Sequence, residues 1–266
     1  MFDLAALESS LGGTIFAGKL NYAPVTGSTN SDALAAARSG APHGSVFITD
    51  EQTAGRGRGG HGWLSAAGDG LYVSVVLRLA LLPTDRLPLL PLAVGLAAAR
   101  AVHEVTGLAT DIRWPNDLLI GPAKVGGILV EARNDSKNLP HAVVAGIGIN
   151  VHQRVFPADM ATPGTSLDLA AGLRVSRQAL LVALLRALER EGTAIADPEL
   201  AKGIPARVEA ASSWVRGRLV EVHGPQACAG MTAGLDASGF LRVETGGGVV
   251  TIQTGGIREA ASSSRS

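Results

Sequence analysis

The sequence predicts an α+β fold: a mixed, largely antiparallel β-sheet with flanking helices, followed by a small C-terminal β-barrel. Two observations predict it. Long apolar helical stretches alternate unevenly with strands spaced as hairpins, unlike the regular rhythm of a parallel β-α-β array. After about residue 212 the texture changes to short apolar runs broken by glycine turns, the pattern of a small barrel. No G-x-x-x-x-G-K-[ST] loop occurs, and no G-x-G-x-x-G opens a helix after a strand in a β-α-β unit, so any nucleotide is bound by a different solution.

Taken in order, Leu4, Leu7 and Leu11 share one stripe of a short helix over 3–11. A strand around 20–26 leads to Gly27-Ser28-Thr29-Asn30, where Ser28 or Thr29 caps a helix that closes at Gly40. Gly44–Asp50 is a β-branched strand feeding a glycine-laden loop, Gly55–Gly62. Leu71–Leu79 alternates as a half-buried strand, and residues 88–106 form an Ala/Leu helix stopped by Gly107. Short strands follow at 110–114, 117–120, 124–132 and 142–149. An amphipathic helix over about 176–191 carries Leu181, Leu184, Leu185 and Leu188 on its buried face. Four strands end the chain: Val215–Val222, Cys228–Leu235, Phe240–Glu244 and Val249–Gln253. The expected organisation is a domain over 1–212, a small β-domain over 213–258 and a disordered tail over 259–266.

Composition narrows the function. With 266 residues, 46% hydrophobic and 17% charged, the chain buries a sizeable core and is not intrinsically disordered. Lysine plus arginine balance aspartate plus glutamate at 23 each, so no global field draws the protein to nucleic acid or to an anionic membrane. Any bound anion has to be met by a local cluster. The lone Cys228 forms no internal disulfide, which fits a reducing cytoplasm. The apolar run Leu87–Ala99, with two prolines and a glycine, is too short to span a bilayer, and the N-terminus lacks the basic start of a signal peptide. The six histidines lack metal-site spacing, no metal ligand is assigned, and no G-x-S-x-G elbow occurs.

Glycine is the outlier, at 34 of 266, and it gathers around the candidate chemistry. The segment Gln52-Thr53-Ala54-Gly55-Arg56-Gly57-Arg58-Gly59-Gly60-His61-Gly62-Trp63 sets two guanidinium forks on pliant backbone. Arginine binds carboxylate and phosphate bidentately and keeps its charge, so the loop reads as a clamp that orders over an anionic small molecule. Arg113-Trp114-Pro115-Asn116-Asp117 and Lys124-Val125-Gly126-Gly127-Ile128-Leu129-Val130-Glu131 place an ammonium at a strand start beside bare backbone. A solvated surface lysine and a core or wall role for Trp114 are the plain alternatives. In Gly146-Ile147-Gly148-Ile149-Asn150 the glycines share one strand face and leave a trench. Asn150 then either binds a ligand or starts a turn. Ser28-Thr29-Asn30 offers hydroxyls and free N–H groups to a polar ligand head, if it does more than cap a helix.

These motifs in this order, S-T-N, Q-x-x-G-R-G-R, W-P-N-D, K-x-x-G-I-L-V-E and G-I-G-I-N, resemble those of biotin protein ligases. The resemblance covers about residues 25–150, and the terminal barrel is similar to the family's SH3-like domain. It implies the fold shared with class II aminoacyl-tRNA synthetases and lipoyl transferases. It also implies a cytoplasmic enzyme of the biotin–[acetyl-CoA-carboxylase] ligase type, which forms biotinyl-5′-AMP from biotin and ATP with Mg²⁺. The biotinyl group then passes to a lysine of a biotin carboxyl carrier protein. Carried over by position, Ser28, Thr29, Asn30, Gln52, Arg56, Gly57, Arg58, Lys124, Gly126 and Gly127 contact biotin. Arg58, Trp114, Asn116, Asp117, Lys124 and Asn150 sit at ATP, and Arg58 and Lys124 are catalytic. The chain departs from the family at Gly59-Gly60-His61-Gly62, where many relatives are more basic. It leaves no room ahead of the catalytic domain for a winged-helix DNA-binding domain, so no nucleic-acid or membrane partner is expected; a homodimer stays open. Lipoate or octanoate ligation on the same fold is the nearest rival, although the R-R-x-S-G-G-G loop typical of those enzymes is absent. A non-catalytic biotin-binding protein is the rival from another class.

Overall fold

The computed structural model describes residues 2–78, 84–134 and 140–260. Its larger sheet has seven strands in the order β1-β2-β3-β7-β6-β5-β4. They are β1 (Leu20–Thr26), β2 (Val46–Gln52), β3 (Gly70–Arg78), β4 (Asp111–Arg113), β5 (Asp117–Ile120), β6 (Ala123–Asn134) and β7 (Pro140–Asn150). Only β1 and β2 run parallel; the remaining pairs are antiparallel, as the hairpin spacing predicts.

Helices cover both faces. On one, α3 (Leu90–Thr106) and α5 (Arg177–Ala196) pack together over the main core. On the other, α2 (Thr29–Arg38) sets Ala33, Leu34 and Ala37 against Val76, Ala142 and Val144. This corrects the half-buried reading of β3: strand residues from Gly70 to Val76 are buried on both sides, because β3 is central and covered twice. With the 3₁₀ turn before it, α3 gives a stretch, Asp85–Thr106, apolar and long enough to cross a membrane by composition. Here it is the core helix, with Leu92, Ala97, Ala98, Ala101 and Val102 at 1% exposure or less. Gly107 ends it in the left-handed conformation, φ 74°, as expected.

The C-terminal sheet has five strands, not four, in the order β11-β10-β9-β8-β12: β8 (Arg216–His223), β9 (Cys228–Leu235), β10 (Leu241–Thr245), β11 (Gly248–Ile252) and β12 (Gly256–Glu259). Only four residues long, β12 carries no alternation to read, and its pairing with β8 forms it. It takes in Glu259, and the Ala260 N–H bonds the Leu219 carbonyl, although both belong to the expected tail; residues 261–266 lie outside the described residues. Short helices α1 (Leu4–Ser10), α4 (Leu167–Ala171), α6 (Pro198–Ala201) and α7 (Ile204–Ala210) complete the fold. Of these only α1 shows a helical stripe in the sequence.

The two sheets share one apolar core. The guanidinium carbons of Arg113 and Arg218 lie over the Trp214 ring, 5.2 and 3.9 Å from its centroid. Trp114 donates its indole N–H to the Gly239 carbonyl at 3.1 Å.

Candidate active site

The cleft opens where the N-terminus of α2, the middle of β3, β6 and β7, and the glycine loop converge. Ser28 occupies the N-cap position of α2 but makes no side-chain cap bond. Instead Gln52, at the end of β2, accepts the Thr29 N–H at 2.9 Å, so a neighbouring strand satisfies a free helix donor. Gln52 also donates to Ser65 Oγ at 2.8 Å. Ser74 Oγ lies 2.6 Å from Asn30 Oδ1 and 2.8 Å from Thr29 Oγ1. Asn30 Nδ2 donates to Glu131 Oε2 at 2.8 Å, and the same oxygen holds Arg56 at 2.7 Å. A continuous polar row therefore runs from Ser65 through Gln52, Thr29, Ser74 and Asn30 to Glu131 and Arg56. Ser28, Thr29, Asn30 and Ser74 are all at most 5% exposed, so their orientation is set by packing and bonding.

The glycine trench exists, but protein side chains fill it. A Cβ at Gly146 would overlap the Asn30 carboxamide, and one at Gly148 would lie 2.6 Å from the Trp63 indole nitrogen. Gly148 pairs with Gly127, which also lies beneath the Trp63 ring. These glycines give Trp63 and Asn30 a flat floor, and the open space lies among the residues they carry. That space is lined by Ser28, Thr29, Asn30, Gln52, Arg56, Gly57, Arg58, Asn116, Lys124 and Gly127 from the sequence-derived set.

Three cations border it. Lys124 and Gly127 share the cleft face although three residues apart, because a bulge shifts the β5–β6 register between Leu118 and Leu119. Lys124 Nζ lies 2.5 Å from Asp117 Oδ1 and 5.3 Å from the Trp63 ring centroid. Arg113, itself buried, grips Asp117 Oδ2 at 2.6 Å. In the loop, Gly59 and Gly60 adopt φ values of 67° and 81°, which a side chain would resist. The Gly57 N–H bonds the His61 carbonyl and the Trp63 N–H bonds the Gly55 carbonyl, closing the loop as a tight hairpin. Arg56 leaves 43% of its side chain exposed. Arg58 donates to Thr254 Oγ1 at 3.0 Å and to the Gly255 carbonyl. Burial pulls the Arg58 guanidinium below its ordinary pKa, against the opposing pull of the Asp117 charge.

Four sequence-derived residues stand differently. Gly126 turns toward Leu118 and Ile149 in the core, on the opposite face from Gly127. Asn150 is 6% exposed and donates to the Thr165 carbonyl, pinning the following loop. Trp114 is 3% exposed and borders a second, adjoining cavity with Arg58, Asn116, Phe240 and Gln253. Asp117 is committed to Lys124 and Arg113. Sequence reasoning assigned no role to Ser74, Tyr72 or Trp63, all of which line the cleft. Ser74 is signalled only as a polar residue within the apolar run Leu71–Leu79. Among the described residues, no three His, Cys, Asp or Glu side chains group to hold a metal.

A polar row and three cations border one cleft of the mixed sheet, and the comparisons give the chain's class. Residues 22–150 match the Biotin/lipoate A/B protein ligase family. The biotin–[acetyl-CoA-carboxylase] ligase of Mycobacterium tuberculosis is 36% identical over 245 residues, covering 90% of this chain and 88% of that one. The chain belongs to the biotin/lipoate protein ligase family and, within it, is homologous to the biotin protein ligases. The bifunctional ligase/repressor BirA of Bacillus subtilis is 38% identical over 173 residues, 64% of this chain but only 53% of that protein, so the match spans about half of that relative. The structure of the Aquifex aeolicus biotin protein ligase in complex with biotin and ATP superposes with a TM-score of 0.79 at 28% identity, covering 91% of this chain and all of that one.

Proposed function

We propose that this protein is an ATP-dependent biotin protein ligase. A biotin carboxylate oxygen attacks the α-phosphorus of ATP, the bond to the pyrophosphate oxygen breaks, and biotinyl-5′-AMP forms. The amine of an acceptor lysine then attacks the biotinyl carbonyl carbon. AMP leaves with the electrons of the broken C–O bond, the amine gives up a proton, and an amide joins biotin to a biotin carboxyl carrier protein.

The observation that carries this reading is the meeting of Arg56, Arg58 and Lys124 with the hydrogen-bonded polar row Gln52-Thr29-Ser74-Asn30, and with buried Ser28, around one cleft. The row, with its donors and acceptors already oriented, suits an uncharged polar ring system such as the ureido group. The first step brings a carboxylate against a polyanion, so cations at the meeting point lower the barrier most, each by about 3–4 kcal/mol when preorganised and shielded. Lys124, held by Asp117, offers a point charge; Arg56 offers a fork that exchanges its Glu131 partner for the ligand's oxygens, and Arg58 a guanidinium held at the cleft wall by Thr254 and Gly255. The closed loop keeps water from the mixed anhydride. A Mg²⁺ accompanying the nucleotide would be held mainly through the phosphates, as among the described residues no three His, Cys, Asp or Glu side chains group together. Bound there, it would offset phosphate charge.

ATP–pyrophosphate exchange tests the assignment. Exchange that depends on biotin and not on lipoate or octanoate is expected; exchange with lipoate alone would transfer the protein to the other branch of the family.

A further inference from the structure

The two arginines of the glycine loop are anchored to different parts of the molecule. Arg56 pairs with Glu131 on β6, beneath the cleft. Arg58 crosses to the C-terminal sheet, donating to Thr254 Oγ1 and to the Gly255 carbonyl, 196 and 197 residues further along the chain. The receiving turn, between β11 and β12, admits little adjustment. Gly255 sits at φ +129°, and a Cβ there would overlap the His223 carbonyl. Arg58 remains at the cleft wall while so held, and it also borders the adjoining cavity that Gln253 helps to line.

A long side chain on glycine-rich backbone loses most of its value as a ligand clamp unless something orders it beforehand. We propose that Thr254 and Gly255 are positioning residues for Arg58, which makes the C-terminal sheet part of the lid over the activated acyl group. This rests on reading the cleft as the site of adenylate formation. The carbonyl and hydroxyl occupy the outer nitrogens of the fork and fix its plane, so that the loop closes with Arg58 already aimed along the cleft wall. Thr254 is exposed, so its replacement leaves the fold intact.

The test uses the full chain charged with biotin and labelled ATP, following the label that stays with protein after rapid desalting. If wild type retains no adenylate under these conditions, the ligase reading fails and the proposal falls with it. Given retention by wild type, Thr254→Val is expected to release adenylate about three- to tenfold faster, the range for net loss of one solvent-exposed hydrogen bond. Thr254→Ser restores retention. In an Arg58→Gly background, Thr254→Val adds no further change. Release at the wild-type rate, slower release, or an equal acceleration without Arg58 would each overturn the proposal.

Discussion

The two walls of the cleft are ordered by different means. On the sheet side, Thr29, Asn30, Ser74 and Gln52 are tied to one another and to the backbone, and Ser74 is fully buried. On the loop side, Arg56 holds the Glu131 carboxylate, a partner that a bound anion could replace, while Arg58 is held by the Thr254 hydroxyl and the Gly255 carbonyl. On the proposed reading, the first wall would recognise by geometry fixed before binding, and the second would supply charge from a glycine-rich loop. Lys124 joins them, since its ammonium is held by Asp117 on β5 while lying against Trp63 at the end of the loop.

Removing the joining group breaks the comparison most severely. Lys124→Ala is expected to lower biotin-dependent pyrophosphate release by about 100-fold or more with the circular dichroism unchanged. Near-normal release would remove Lys124 from the chemistry. Arg58→Gly strikes the loop wall alone: adenylate forms more slowly, and what forms escapes about 10- to 100-fold faster and acylates bystander amines. Retention equal to wild type would end the lid account. Ser74→Ala strikes the fixed wall, leaving Asn30 Oδ1 and Thr29 Oγ1 short of a partner at a cost of about 1–3 kcal/mol in stability. Biotin KM should rise about tenfold with kcat little changed, the reverse of the pattern at Lys124. Equal losses in kcat and KM would mean that the two walls do not act separately.

The smallest effect lies outside the cleft. Burial, with the nearby Lys19 charge, holds the His43 imidazole below its usual value of 6.5. The folded state then binds fewer protons there than the unfolded chain, so this contribution to stability is present above about pH 6.5 and is lost as the pH falls below it. His43 Nδ1 accepts the Arg78 backbone N–H, a bond that protonation removes. Thermal unfolding of wild type at pH 7.5 and 5.5 should show a larger drop than that of His43→Gln, with retained adenylate following neither. Equal drops would exclude His43 as the source.

Much of the fixed wall was legible because its residues lie at short spacing: a cap-like triplet before a helix, a lysine opening a strand, alternating glycines on one face. What fills the space over those glycines was not. Gly127 and Gly148 become one floor for Trp63 only when β6 and β7 pair, and Gly146 meets Asn30 only when α2 packs across the sheet. Gly126 and Gly127 read alike in sequence, yet the alternation of a strand sends them to opposite faces. Asp117 and Asn150 carried motif positions, but their partners, Lys124 and the Thr165 carbonyl, come from strand pairing and a loop closure. Arg58 shows the limit most plainly, because nothing local to Gly57-Arg58-Gly59 names a turn almost two hundred residues away.

Incubating the protein with biotin and ATP labelled at the α-phosphate, then counting label carried through a desalting column, tests the central claim most directly. About one biotinyl-adenylate per chain, formed only when biotin is present, is the expected result. No bound label, or label that appears equally without biotin, would contradict a cleft built to join this acid to AMP.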